Sequence, residues 1–166
     1  MTASGAPVAR IRLREFSRSL PMSLLRAREA VMAHFRPGLQ KLGITEQQWR
    51  VLRALTSVAE IEVTELAKAT FLLAPSLSRI VKDLEERCLI RRRPHDLDLR
   101  RGLICISPQG RALIETAGNQ SEVIYAEITR RYGELRLAQL QELLRDLEAV
   151  LMDPISTENV ERHEGE

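Results

Sequence analysis

Aromatic residues are scarce in this chain: one tryptophan, two tyrosines and three phenylalanines among 166 residues. An aliphatic, helix-rich interior is therefore expected, and each aromatic becomes worth locating. Histidine and cysteine are scarcer than chemistry usually needs. His34, His95 and His163 lie far apart, and neither Cys88 nor Cys105 belongs to a CxxC or CxxxH pattern, so no metal site is expected. The two cysteines are well separated and sit in or beside predicted regular structure, which excludes a disulfide framework and predicts two reduced, partly buried thiols. No apolar run approaches the roughly 18 residues that span a bilayer, and the N-terminus has no signal-peptide core; a cytoplasmic protein without membrane contact is the expectation. There is no P-loop, no GxGxxG, no nucleophile elbow and no pair of acids in a credible frame, so neither catalytic residues nor cofactors are expected, and an enzyme is not the reading.

What is present is an ordinary balance of 44% apolar and 29% charged residues, enough for one domain over 1–166 with a real core. The formal net charge of +2 implies no polyanionic partner by itself. Its distribution does. Arg10, Arg12, Arg14 and Arg18 make the N-terminus basic, acids collect in a polar tail over 153–166, and six arginines crowd the stretch RCLIRRRPHDLDLRRGLICISPQG from Arg87 to Gly110.

Apolar spacing predicts an amphipathic helix from Ser19 to Phe35, kinked or interrupted at Pro37-Gly38 and stopped by Gly43. Thr45-Glu46-Gln47-Gln48 reads as a capping box that opens a second helix to about Val58. Ile61 to Val63 suits a minimal edge strand. A brief helix from Thr64 to Ala69, a tight connection over 71–74 and a helix begun by Pro75 follow, with Leu77, Ile80, Val81 and Leu84 on its inner stripe. Beyond Cys88 the period changes to two, giving strands at Leu89 to Arg93 and Leu103 to Ile106 joined by a polar loop, a β-hairpin. Ser107-Pro108 starts a long helix to Tyr132, with Gly118 and Gly133 as its weak points. A last helix from Glu134 to Met152 carries leucines at 137, 140, 144, 147 and 151.

Helix, turn, helix and an arginine-bearing hairpin describe a winged helix-turn-helix: a mainly α fold with a small β-hairpin wing. Its DNA-binding lobe spans 45–107, and dimerisation helices span 19–42 and 108–152. The second helix of the pair would lie in the major groove and the wing would reach phosphates or the minor groove. Here the chain resembles the MarR family of bacterial transcription regulators, over nearly its full length. The resemblance rests on APSLSRIVKDLEERCLIRR and on DLRRGLICISPQG, in which Asp98, Arg100, Ser107 and Gly110 occupy the family's wing-signature positions. LPMSLLRAREAVMAHFRPGL, TEQQWRVLRAL and LLAPSLSRI further resemble the branch that represses homoprotocatechuate (4-hydroxyphenylacetate) catabolism. One position departs: the family usually places glycine where Cys88 stands, because the helix ends there in a left-handed conformation. Either Cys88 tolerates that conformation or the helix ends by another route.

DNA contacts are expected from Ser76, Ser78, Arg79 and Lys82 on the recognition helix and from Arg91, Arg93, Arg100 and Arg101 of the wing, with Asp98 orienting Arg100. Against this stands the bland alternative of a solvated charged face. Arg91, Arg92 and Arg93 are expected to divide between opposite faces of the strand. Trp49 and Arg53, four apart, share a helix face with Glu46 one turn earlier. They are either core and snorkelling cation or part of a pocket for a small phenolic or aromatic carboxylate, with Tyr125 supplying a hydroxyl. Ser19, Arg26 and His34 are lesser candidates for that pocket, which the resemblance places between dimer helices and reading head; Arg50 is expected to face elsewhere. Apolar stripes beyond what the lobe can cover predict a homodimer on a palindromic double-stranded operator. The rivals are redox control through Cys88 or Cys105 and a winged-helix adaptor that binds protein rather than DNA.

Overall fold

The computed structural model describes residues 15–94 and 102–152. The chain divides into two compact units, Met1–Gln120 and Ser121–Glu166. Asp98, Arg100, Arg101, His95, the basic stretch before residue 15 and the tail after residue 152 lie outside the described residues.

The first unit opens with a single 3-10 turn at Phe16–Arg18 and then α1 (Leu20–Lys41). Contrary to the expected interruption, α1 runs unbroken through Pro37. A proline removes one backbone donor, but the helix's two buried residues, Phe35 and Leu39, sit on either side of it and hold both turns to the interior. The capping box of α2 (Glu46–Thr56) is formed as expected: the Gln48 N–H donates to Thr45 Oγ1 at 3.2 Å, and the Thr45 N–H donates to Gln48 Oε1 at 2.8 Å. Strand β1 (Ile61–Glu62), α3 (Val63–Thr70), α4 (Ala74–Glu86), β2 (Ile90–Pro94) and β3 (Gly102–Ile106) follow. The three strands form an antiparallel sheet in the order β1-β3-β2, so β1 is the edge strand the sequence predicts.

Val51, Leu52 and Leu55 of α2 meet Leu66 of α3, Leu77, Val81 and Leu84 of α4, Ile104 of β3 and Ile114 of α5 (Pro108–Tyr132) in one core. This core fixes α4 against the sheet. Ser107 joins three elements: its hydroxyl donates to the Cys88 carbonyl (2.7 Å) and accepts from the Gly110 N–H (2.9 Å), while its own N–H donates to the Leu89 carbonyl (3.1 Å). Gly110 is glycine for want of room, since a Cβ there would stand 2.1 Å from the Leu89 carbonyl oxygen.

The second unit holds the end of α5 and α6 (Glu134–Leu151), separated by Gly133 at φ 94. Gly118, the other suspected weak point, leaves α5 continuous. No residue of α6 is buried.

Candidate nucleic-acid interface

The recognition helix is bracketed by two left-handed residues that are not glycine: Phe71 at φ 51 before it and Cys88 at φ 57 after it. Both end a helix in the same way. The Leu72 N–H donates to the Ala67 carbonyl and Phe71 to Lys68; the Leu89 N–H donates to the Leu84 carbonyl and Cys88 to Glu85. This is the paired-bond motif that favours glycine at the left-handed position, and a side chain there costs about 1 kcal/mol. Of the two routes open to Cys88, the chain takes the strained one. Cys88 is also exposed, not partly buried as expected, because the left-handed turn carries its side chain outward where β2 departs; Cys105 is intermediate, and both thiols are free.

Leu77, Val81 and Leu84 face inward on α4, and Ser76, Ser78, Arg79 and Lys82 are all exposed. Ser78 donates its hydroxyl proton to the Ala74 carbonyl at 2.9 Å, and this exposed hydroxyl is a rotor that can turn to meet a ligand. Lys82 reaches Glu86 loosely, at 3.8 Å with both side chains mostly in solvent, which leaves its charge available. Arg79 forms no ion pair among the described residues. On the hairpin, Ile90 is buried and 91–94 are exposed throughout. Arg91, Arg92 and Arg93 lie on a regular strand whose successive residues point to opposite faces, as expected, and beyond Ile90 both faces of the wing meet water. The Arg92 guanidinium lies across Gly102, with Nε 2.8 Å from where a Cβ would be. Arg93 forks onto Glu60, with Nε and Nη2 donating at 2.9 and 2.6 Å; that hydrogen bond holds the Glu60 carboxyl below its usual range. Arg93 is thus tied to the residue just before β1, and Arg91 is the freer of the two predicted phosphate ligands on β2.

On α2 the Arg53 guanidinium carbon stands 5.8 Å from the centroid of the Trp49 ring. Trp49 packs partly against the core, whereas Arg53 is exposed. The two predicted partners are together, a cation stacked on an aromatic plate. Glu46 has another role. Its carboxylate receives Arg28, Arg36 (3.1 Å) and Arg50 (3.4 Å), and Arg36 also donates to Glu29 at 2.6 Å, which lowers the Glu29 carboxyl below its ordinary value. Arg50, set aside by sequence reasoning, continues this chain by donating to the Thr70 carbonyl at 3.0 Å, at the end of α3. Gln48 makes a parallel link, donating to Asp83 Oδ2 of α4 at 2.6 Å. Of the lesser candidates, Ser19 donates to the Phe16 carbonyl at 3.1 Å, and Arg26 and His34 are exposed on α1. Tyr125 belongs to the second unit and is half exposed there. Two clefts, of about 570 and 380 Å³, lie elsewhere and contain neither Trp49 nor Arg53.

The sequence profile described as the MarR family matches residues 42–101. The homoprotocatechuate degradative operon repressor of Escherichia coli is 35% identical over 132 residues, which are 80% of this chain and 89% of that protein. Among solved structures, the transcriptional regulator PA4135 has a TM-score of 0.77 at 39% identity, covering 80% of this chain and 97% of its own. NadR in complex with 4-hydroxyphenylacetate has a TM-score of 0.70 at 32% identity, covering 81% and 96%. Among the described residues no helix is long and apolar enough to cross a membrane.

Proposed function

This chain belongs to the MarR family of transcription regulators, and on that premise we propose that it represses an operon for aromatic-acid breakdown in the cytoplasm, without catalysis of its own. It acts as a homodimer on a palindromic operator and releases it when a small phenolic or aromatic carboxylate binds at Trp49 and Arg53. The observation that carries DNA recognition is the outer face of α4. Ser76, Ser78, Arg79 and Lys82 share that exposed side, and Arg91 stands on the wing. Hydroxyls and cations on the second helix of a helix-turn-helix suit base edges and phosphates. The wing arginines Arg100 and Arg101, with Asp98 as the orienting carboxylate, extend the same reading.

The effector half is supported by the Arg53–Trp49 stack, which offers a guanidinium for a carboxylate and a ring face for an aromatic body. The relatives point the same way: one is named for a homoprotocatechuate operon, and NadR was solved with 4-hydroxyphenylacetate. Such a ligand releases DNA only by binding better to a dimer whose heads do not fit adjacent major grooves.

One experiment tests both halves: selection of binding sites from random duplex, followed by titration of 4-hydroxyphenylacetate into the complex. A two-fold symmetric site with half-sites one DNA turn apart is expected. Release by millimolar-or-lower ligand should persist in wild type and vanish in Arg53→Ala, whose operator affinity stays unchanged. A protein that selects no sequence is not a repressor, and an Arg53→Ala variant released like wild type removes the carboxylate site.

A further inference from the structure

The head of α4 is apolar where it should meet base edges. Leu73, just before the helix, is 77% exposed, and Phe71 is 82% exposed. Ala74 and Pro75 beyond them are exposed as well. Leu72 packs against the core, so the chain turns one apolar side chain inward and two, Phe71 and Leu73, outward. It also holds Phe71 at φ 51, a conformation glycine adopts without strain. A single exposed leucine needs no explanation. Two apolar side chains at the leading end of a recognition helix do, because the N-terminal residues of that helix are the ones that approach bases.

The surroundings select the partner. The patch runs directly into Ser76, Ser78 and Arg79, with Lys82 one turn on, and none of these four is buried. An apolar protein surface docking here would have to cover these polar and cationic groups, whereas a duplex satisfies them. In the major groove one base-edge feature is apolar, the 5-methyl group of thymine.

We propose that Leu73 reads a thymine 5-methyl group in each half-site of the operator, with Phe71 widening the apolar surface around it. This rests on the DNA-binding reading above and adds base identity at the position reached by the head of α4. That position is fixed as thymine by van der Waals contact, and cytosine is rejected for lack of the methyl group.

The test uses the full chain and the operator selected from random duplex. Each half-site thymine is replaced in turn by deoxyuridine, which removes the methyl group and keeps every hydrogen-bonding atom, and affinity is read by fluorescence anisotropy at fixed salt. Wild type should lose about four-fold at one thymine per half-site, the factor that one buried methyl-sized group supplies. In Leu73→Ala, checked for unchanged circular dichroism, the ratio between thymine and uracil duplexes should fall to about one. Equal affinities at every position in wild type, which needs no variant to fold, overturn the proposal; so does an undiminished ratio in Leu73→Ala. Either result leaves operator binding intact, whereas failure to select any operator overturns the DNA-binding reading as well.

Discussion

Cys88 adopts its left-handed conformation because its surroundings over-determine it. Two backbone bonds close the end of α4, and the Ser107 hydroxyl holds the Cys88 carbonyl from the other side at 2.7 Å. The side chain itself contributes little, being exposed. Cys88→Gly should therefore raise stability by about 1 kcal/mol, or about 2–4 °C in Tm for a chain of this size, with unchanged operator affinity. Calorimetric melting checks the first part; a lowered Tm would mean that the thiol packs more than its exposure allows. The same variant separates the redox rival. Peroxide that weakens operator binding by wild type and spares Cys88→Gly would make this thiol a switch, whereas equal insensitivity leaves it a strained helix end. The missing glycine was legible through the family resemblance, which sets glycine where Cys88 stands. Strain at Phe71 was not. The connection over 71–74 reads as a tight turn, and which of its residues takes the left-handed position is decided by how α3 and α4 pack.

Among the elements, α2 ties the lobe together through polar groups on two of its sides. Arg50 donates to the last carbonyl of α3, where the helix dipole is negative, and shares Glu46 with Arg28 and Arg36 of α1. Gln48, besides closing the capping box, holds Asp83 of α4. These bonds form a continuous polar chain from α1 through α2 to the turn between α3 and α4. Arg50→Met, which keeps the stem and removes the fork, should cost about 1 kcal/mol of stability and lower operator affinity several-fold at every salt concentration. The slope of log affinity against log salt should stay that of wild type, because Arg50 holds the reading head and does not touch phosphate. A slope reduced by about one would make Arg50 a phosphate ligand instead. The acid end of this chain is also defined. The Glu29 carboxyl lies below 4.5 because Arg36 donates to it, so its contribution is complete above pH 4.5 and is lost only as pH falls through the lowered value. The capping box, hairpin and edge strand were legible, as local patterns are. The continuity of α1 through Pro37 and the role of Arg50 were not: one depends on two buried residues flanking the proline, the other on a carbonyl twenty positions away.

For the whole molecule, the decisive feature is a leucine-rich helix that the described residues leave exposed. On α6, Leu135, Leu143 and Val150 are 80%, 66% and 75% exposed, and no residue of the helix is buried. The same holds for Leu20, Leu24, Leu25 and Val31 on the outer face of α1, which are about half exposed. An apolar face of this extent is accounted for by a second copy, which the proposed palindromic operator also requires. The stripe at 137, 140, 144, 147 and 151 was legible in the sequence as a heptad-like repeat, and so was the expectation of a pair; which leucines stand most open was not, because spacing along a helix fixes its stripe and not what packs against it. Leu140 and Leu144, four apart on α6 and 39% and 41% exposed, allow the argument to be tested without touching the lobe's core. Leu140→Glu/Leu144→Glu places two carboxylates in any apolar seam and leaves α2 to α4 alone. Sedimentation should then show a monomer where wild type is a dimer. Circular dichroism should retain the helical signal of the lobe, and operator affinity should fall on the order of 100-fold or more, since each half-site is then held without its tethered neighbour. If the variant sediments as wild type does and binds the full operator as tightly, the leucine face is not the pairing surface. If it becomes a monomer with unchanged affinity, one reading head suffices, and the palindromic operator has no physical basis.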